Sequence, residues 1–272
     1  MPYLILVVHV YFRCPVCPAK TTESLILVSP DVKHDHHAVQ HFTTVAMEHL
    51  RQNRGLTIDH VIQWTDGCAP QYKSKGPFAD ISNALSDLDS TLERNFFGSR
   101  HGKGPSDGEA AVVKNHTMTA IKAGAAVVSS VEDMYSYLIG SVLNKQPPEE
   151  GCTHSLRTFL WIPDGAIQRD RPGRKLETVK GTRSFHTVNY VQQGAIMTRH
   201  LACTCDACLT GVGSCPNRDL VGPWTCHALS QPGRHQQPHQ AIPAAKRPHV
   251  RRTLGLDIPA VQPHTALPDT AQ

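Results

Sequence analysis

Between residues 3 and 143 the sequence switches repeatedly between strand-like and helix-like runs, and this alternation limits the chain to a layered α/β architecture. Residues 3–12 are β-branched and aromatic, and "ESLILVS" at 23–29 repeats that character after a Pro-rich turn, "CPVCPAK". Two such runs around a short break predict a hairpin. Residues 34–55 then place Ala38, Val39, Phe42, Val45, Ala46 and Leu50 at helical spacing, with Asp35 as a cap and Gly55 as the stop. Strand character returns at 57–67, followed by a helix at 74–88 and a strand at 91–99. A helix at 105–123, a short strand at 126–129 and a helix at 130–143 complete the series, the last opened by Ser130 and Asp133 as a capping box. The order β-β-α-β-α-β-α-β-α predicts a mixed sheet with helices on its faces.

The pattern breaks at "NKQPPEEGCTHS", so residues 1–150 are expected to form the core. Residues 151–229 carry strand-like runs between Gly turns ("LRTFLWIP", "FHTVNYV", "AIMTRHLACTC") and read as a small Cys-rich β appendage. Residues 230–272 are rich in Pro, His and Gln and too poor in periodic apolar residues to fold, so a disordered tail is expected there. The short basic run "KRPHVRR" in that tail suits phosphate binding or nuclear targeting, or plain solvation. The formal net charge of +4 is compatible with DNA as a partner but far below a histone-like excess. The apolar opening "MPYLILVVHVYF" is too short to span a bilayer and lacks the charged flank of a secretory signal. No membrane association and a nuclear or cytoplasmic location, rather than secretion, are expected.

Chemistry-bearing residues fall in two places. Asp66 ends a strand in "QWTDGCAPQYKSK", and Asp107 and Glu109 stand at a helix start in "RNFFGSRHGKGPSDGE". Carboxylates brought together by sheet topology hold Mg²⁺ or Mn²⁺, and paired ions activate water for phosphodiester cleavage. Asp-Gly pairs are also ordinary turn formers, and Asp is an ordinary cap. His101 and Lys103, in the loop ahead of that helix, are candidates to hold phosphate oxygens or are solvated loop residues; the loop lacks the spacing of a P-loop.

The second place is the thiol-rich stretch "LACTCDACLTGVGSCPN". Of nine cysteines in the chain, Cys203, Cys205, Cys208 and Cys215 crowd into it. Four soft ligands suit tetrahedral, structural Zn²⁺, with buried or free thiols as the alternative. Cys14 and Cys17, in "CPVC", make only half of such a site, which Cys68 or His residues could complete in space; with no second pair assignable from the sequence, they read as a hairpin turn. His34, His36 and His37 open a helix and read as its first turn rather than as ligands.

Four stretches, "ESLILVSPDVKHDHHAVQHFTTVAMEHL", "QWTDGCAPQYKSKGPFADIS", "ERNFFGSRHGKGPSDGEAAVVK" and "RHLACTCDACLTGVGSCPN", together resemble a family of transposon-derived proteins of animal genomes. Its members look like DDE-type transposases, and the likeness runs from about residue 1 to about residue 227. The resemblance implies an RNase H-like core and an ancestral metal-dependent cleavage and transfer of DNA strands. It implies Asp66 as the acidic residue after the fourth core strand, and Asp107 or Glu109 as the last one. It also implies an Asp on a first core strand lying upstream of a segment like "ILVVHVYFRCPVC". This sequence opens with that segment, so an N-terminally truncated core with little or no catalysis is expected. A zinc-stabilised module that binds nucleic acid or protein without catalysis is the alternative expectation.

Overall fold

The apolar run at the start forms one arm of a long hairpin. In the computed structural model, which describes residues 3–98, 104–171, 174, 176 and 179–229, β1 (Leu4–Arg13) and β2 (Lys20–Ser29) pair antiparallel from Leu4 opposite Ser29 to Arg13 opposite Lys20. Next comes α1 (His36–Arg54), whose ends are where the sequence placed them. The Asp35 carboxylate accepts from the Ala38 amide at 2.9 Å, and Gly55 closes the helix in the left-handed region at φ 64°. β3 (His60–Thr65), α2 (Lys75–Ser82), α3 (Ala84–Leu88) and β4 (Thr91–Phe96) follow, then α4 (Pro105–Lys122) and α5 (Val131–Ile139). The rest comprises β5 (Ser155–Trp161), β6 (Thr187–Gln192), β7 (Ala195–Arg199), α6 (Asp206–Thr210), α7 (Arg218–Val221) and β8 (Thr225–Ala228).

These strands make two mixed sheets rather than one. The first has the order β1-β2-β5, with β5 parallel to β2. Alternation along β2 sends Leu25 and Leu27 to one face, where Ala38, Phe42, Ala46 and Leu50 of α1 cover them. It sends Ile26 and Val28 to the other, against Val113 of α4 and Val131, Met134 and Leu138 of α5. All four β2 side chains are fully buried. The second sheet has the order β3-β4-β6-β7-β8, with β3 and β4 parallel and the later pairs antiparallel. Phe78 and Ile81 of α2 and Leu88 of α3 pack there on Leu92, Val188 and Ile196.

Three expectations need correction. Residues 126–129 form no strand; Val127 is exposed, and the Ser129 amide instead donates to Asp133 Oδ2 at 2.9 Å as part of the start of α5. The helix expected over 74–88 is two helices, broken at Asn83, whose side-chain amide donates to the Ala79 carbonyl at 2.8 Å and competes with the helical ladder. Residues 151–229 do not stand apart as an appendage: β5 completes the first sheet, and β6, β7 and β8 extend the second. The segment expected to be a disordered tail lies outside the described residues.

A buried carboxylate ties the first sheet to α1. Glu23, on β2, accepts from His49 Nε2 at 3.1 Å, from Arg54 Nε and Nη2 at 2.9 and 2.8 Å, and from Thr158 Oγ1 of β5 at 2.7 Å. Burial alone would raise this carboxyl, but the bonds from His49, Arg54 and Thr158 and the Arg54 charge outweigh it and hold the group at about 2. A depressed carboxylate stabilises the fold above its unfolded value of 4.5, and that contribution is lost as pH falls towards 2. Arg54→Ala leaves the buried charge short of a partner and is expected to cost roughly 3–5 kcal/mol in urea unfolding at neutral pH. In Glu23→Gln the stability change between pH 4.5 and 2 is expected to flatten relative to the wild type.

Gly76 matters for a different reason. A Cβ there would lie 2.4 Å from His36 Nε2. The His36 ring cannot simply swing away, because its Nδ1 lies 2.8 Å from the buried Asp80 carboxylate. Gly76→Ala is therefore expected to destabilise by about 1–3 kcal/mol, read from the denaturation midpoint.

Candidate metal centres

Past the end of β7 the chain has few apolar residues to bury, and its order depends on polar and sulfur contacts. Cys205 caps the short α6, Cys208 lies buried within it, and Gly211 ends it in the left-handed region at φ 71°. That reversal carries the chain back so that Cys215 meets Cys203 with sulfurs 3.7 Å apart and Cys205 with sulfurs 3.8 Å apart. One ligand atom from each of Cys203, Cys205, Cys208 and Cys215 lies within 4.8 Å of every other. Sulfurs of a tetrahedral zinc site, each about 2.3 Å from the ion, are roughly 3.8 Å apart. The group sequence density pointed to is thus assembled, and its donor set fits a metal such as zinc.

The surroundings of Cys203 favour its thiolate. The Asn217 side chain donates to Cys203 Sγ at 3.5 Å, and this bond together with the Cys205 amide pulls the Cys203 thiol down to about 6. The buried Arg199 donates to Cys208 Sγ at 3.5 Å and stacks its guanidinium 4.5 Å from the centre of the Trp224 ring. Burial and the neighbouring sulfurs push Cys215 up to about 12. Four thiols crowded together resist joint ionisation, and a divalent cation removes that resistance. Cys226 and His227 stay outside the group; His227 Nε2 pairs with Thr198 Oγ1 at 2.8 Å.

A second group of four was not assigned from the sequence. Cys14 and Cys17, in the β1–β2 turn, meet Cys152 and His154 just ahead of β5, again with ligand atoms all within 4.8 Å. The "CPVC" stretch is a turn, as read, but it is also half of a set whose other half lies 135 positions away. Spacing along the chain holds no trace of that, because it follows from β5 lying beside β2.

The carboxylates are placed differently. Asp66 is exposed at the end of β3, and its Oδ1 accepts from the Cys68 amide at 3.0 Å, a turn-forming bond. Asp107 is exposed in the first turn of α4. Glu109 accepts two bonds from Arg157 of β5, at 2.7 and 3.1 Å. Among the described residues, none of the three belongs to a close group of three or more metal-ligating side chains. His101 and Lys103 lie outside the described residues. Lys73, near Asp66 in sequence, lies over the rings of Phe96 and Phe185, 4.7 and 5.6 Å from their centres.

The molecule is thus an α/β protein of two mixed sheets with two compact sulfur-rich ligand groups. By its sequence it belongs to the family described as "Domain of unknown function (DUF8701)", whose model matches residues 5–202. No curated protein and no solved structure matches the chain. Among the described residues, no helix is long and apolar enough to cross a membrane.

Replacing Cys205 with Ser removes one of four sulfurs and leaves three. The variant is expected to lose about one equivalent of zinc per chain relative to the wild type, measured by atomic emission on protein purified without chelator.

Proposed function

We propose that this chain is a transposase-derived protein with an RNase H-like core that binds DNA, is stabilised by zinc at Cys203, Cys205, Cys208 and Cys215, and no longer cleaves strands. The observation that carries the loss of cleavage is the state of its acidic residues. Glu109 is tied by both carboxylate oxygens to Arg157, and Asp66 is used to build a turn. The ancestral reaction needs carboxylates that converge on a pair of ions. The close ligand groups among the described residues are instead made of Cys and His, which suit zinc rather than magnesium.

Two things support the rest of the reading. Mixed sheets flanked by helices are compatible with the α/β core that the likeness to transposon-derived proteins implies. The excess of Lys and Arg over Asp and Glu suits a polyanion as partner. Binding of this kind releases counterions from the phosphate backbone and weakens as salt rises.

The test has two arms. Anisotropy with labelled duplex DNA is expected to show binding that weakens by about an order of magnitude or more between 50 and 200 mM salt. No salt-dependent binding would overturn the DNA reading. Plasmid nicking with Mn²⁺ is expected to be the same for wild type and Asp66→Asn. Nicking lost on that substitution would restore the nuclease reading, with Asp66 and Asp107 as ion ligands.

A further inference from the structure

We propose that Cys14, Cys17, Cys152 and His154 form a second, independent Zn²⁺ site, a structural clasp that fastens the β1–β2 turn to the start of β5. The geometry alone carries this. Cys17 Sγ lies 3.1 Å from His154 Nε2 and 3.7 Å from Cys152 Sγ. Bonds of about 2.3 Å to sulfur and 2.0–2.1 Å to nitrogen give tetrahedral edges of roughly 3.5–3.8 Å, so little adjustment is needed to close around an ion. A sulfur separation of 3.7 Å is far longer than the roughly 2.05 Å of a disulfide, and Cys14, Cys17 and Cys152 are all free thiols.

The turn has the form that presents sulfur to a metal. Cys14 and Cys17 are separated by Pro15 and Val16, and the Val16 amide donates to Cys14 Sγ at 3.4 Å. The Cys17 amide interacts with the same sulfur. Amides aimed at a sulfur stabilise its anionic, ligating form. The Cys14 amide closes the loop by donating to the Ala19 carbonyl at 2.9 Å.

The other half is delivered by the sheet. β2 and β5 pair parallel with Thr22 opposite Ser155. The Thr22 amide and hydroxyl both donate to the His154 carbonyl, at 3.0 and 3.1 Å. His154 is therefore fixed beside the turn by backbone pairing, and Cys152 follows it. Cys14 is buried while Cys152 is exposed, which gives the ion a way in. Three sulfurs and an imidazole select Zn²⁺ over the oxygen-seeking Mg²⁺ and Ca²⁺. With four protein ligands the site is closed, which makes it structural and not catalytic.

The two groups differ in what they hold. Cys203 to Cys215 is a local staple. The new site joins positions 135 apart and fastens a parallel pair whose two strands are far apart in sequence. All four of its ligands also lie within residues 5–202, the stretch matched by the family, whereas the other group lies beyond it. The inference does not rest on DNA binding or on the loss of cleavage.

Zinc content of the full chain separates the sites. Wild type is expected to carry two equivalents, Cys152→Ser and Cys205→Ser one each, and the double variant none. Cys152→Ser with the wild-type zinc content would overturn the proposal. Should Cys152→Ser fail to fold, Cys205→Ser loaded with Co²⁺ decides. Tetrahedral thiolate–cobalt absorption in that variant supports the site, and a spectrum without it overturns the site. His154→Cys is expected to keep the ion with stronger thiolate absorption, and His154→Ala to lose it; equal retention in both would exclude His154 as a ligand and overturn the assignment.

Discussion

The pairing of β2 with β5 is the constraint on which the first half of the molecule depends. β2 is buried on both faces and has a neighbour on each side, so it is the point where α1, α4, α5 and the N-terminal hairpin all meet. Hydrophobic burial along Leu25 to Val28 supplies most of the attraction, but it does not choose the register. The polar contacts do. Thr22 reaches the His154 carbonyl at one end, and Glu23 reaches Thr158 a little further along, with Arg54 drawn into the same bond set from α1. A slip of one residue would turn every β2 side chain to the wrong layer and strand the Glu23 charge.

Features decided within a turn or two of chain were legible in the sequence. Asp35 and Gly55 bracket α1, and Ser130 and Asp133 open α5, because capping is a contact between near neighbours. The thiol group at 203–215 was legible for the same reason, its ligands lying close together along the chain. Errors came where a distant partner decides. The Ala126–Ser129 run has the composition of a strand, yet among the described residues no strand pairs with it, and the start of α5 takes up the Ser129 amide. Strands β5 to β7 were recognised as strands and β8 was not, and the sheet membership of all four was missed, since pairing is a property of topology and not of the segment.

The same division explains the candidate sites. Cys14 and Cys17 were visible as a pair, while Cys152 and His154 become their partners only once β5 lies along β2. Glu109 had the right position at a helix start for an ion ligand, and nothing nearby in sequence reveals that Arg157 claims it. Asp66 is the converse case. Its neighbour Gly67 marked a turn from the start, and the bond to the Cys68 amide is that turn.

The long interval between β2 and β5 also bears on how the molecule is made. A ribosome delivers the hairpin and α1 first, and these can dock at once through Leu25, Leu27 and Phe42. The far side of β2, with Ile26 and Val28, stays bare until α4 and α5 have emerged, and its open amides wait for Ser155–Trp161. From Ser29 to Ser155 the nascent chain therefore carries a greasy strand with one edge unpaired, which makes it a natural client for chaperones that shield such segments.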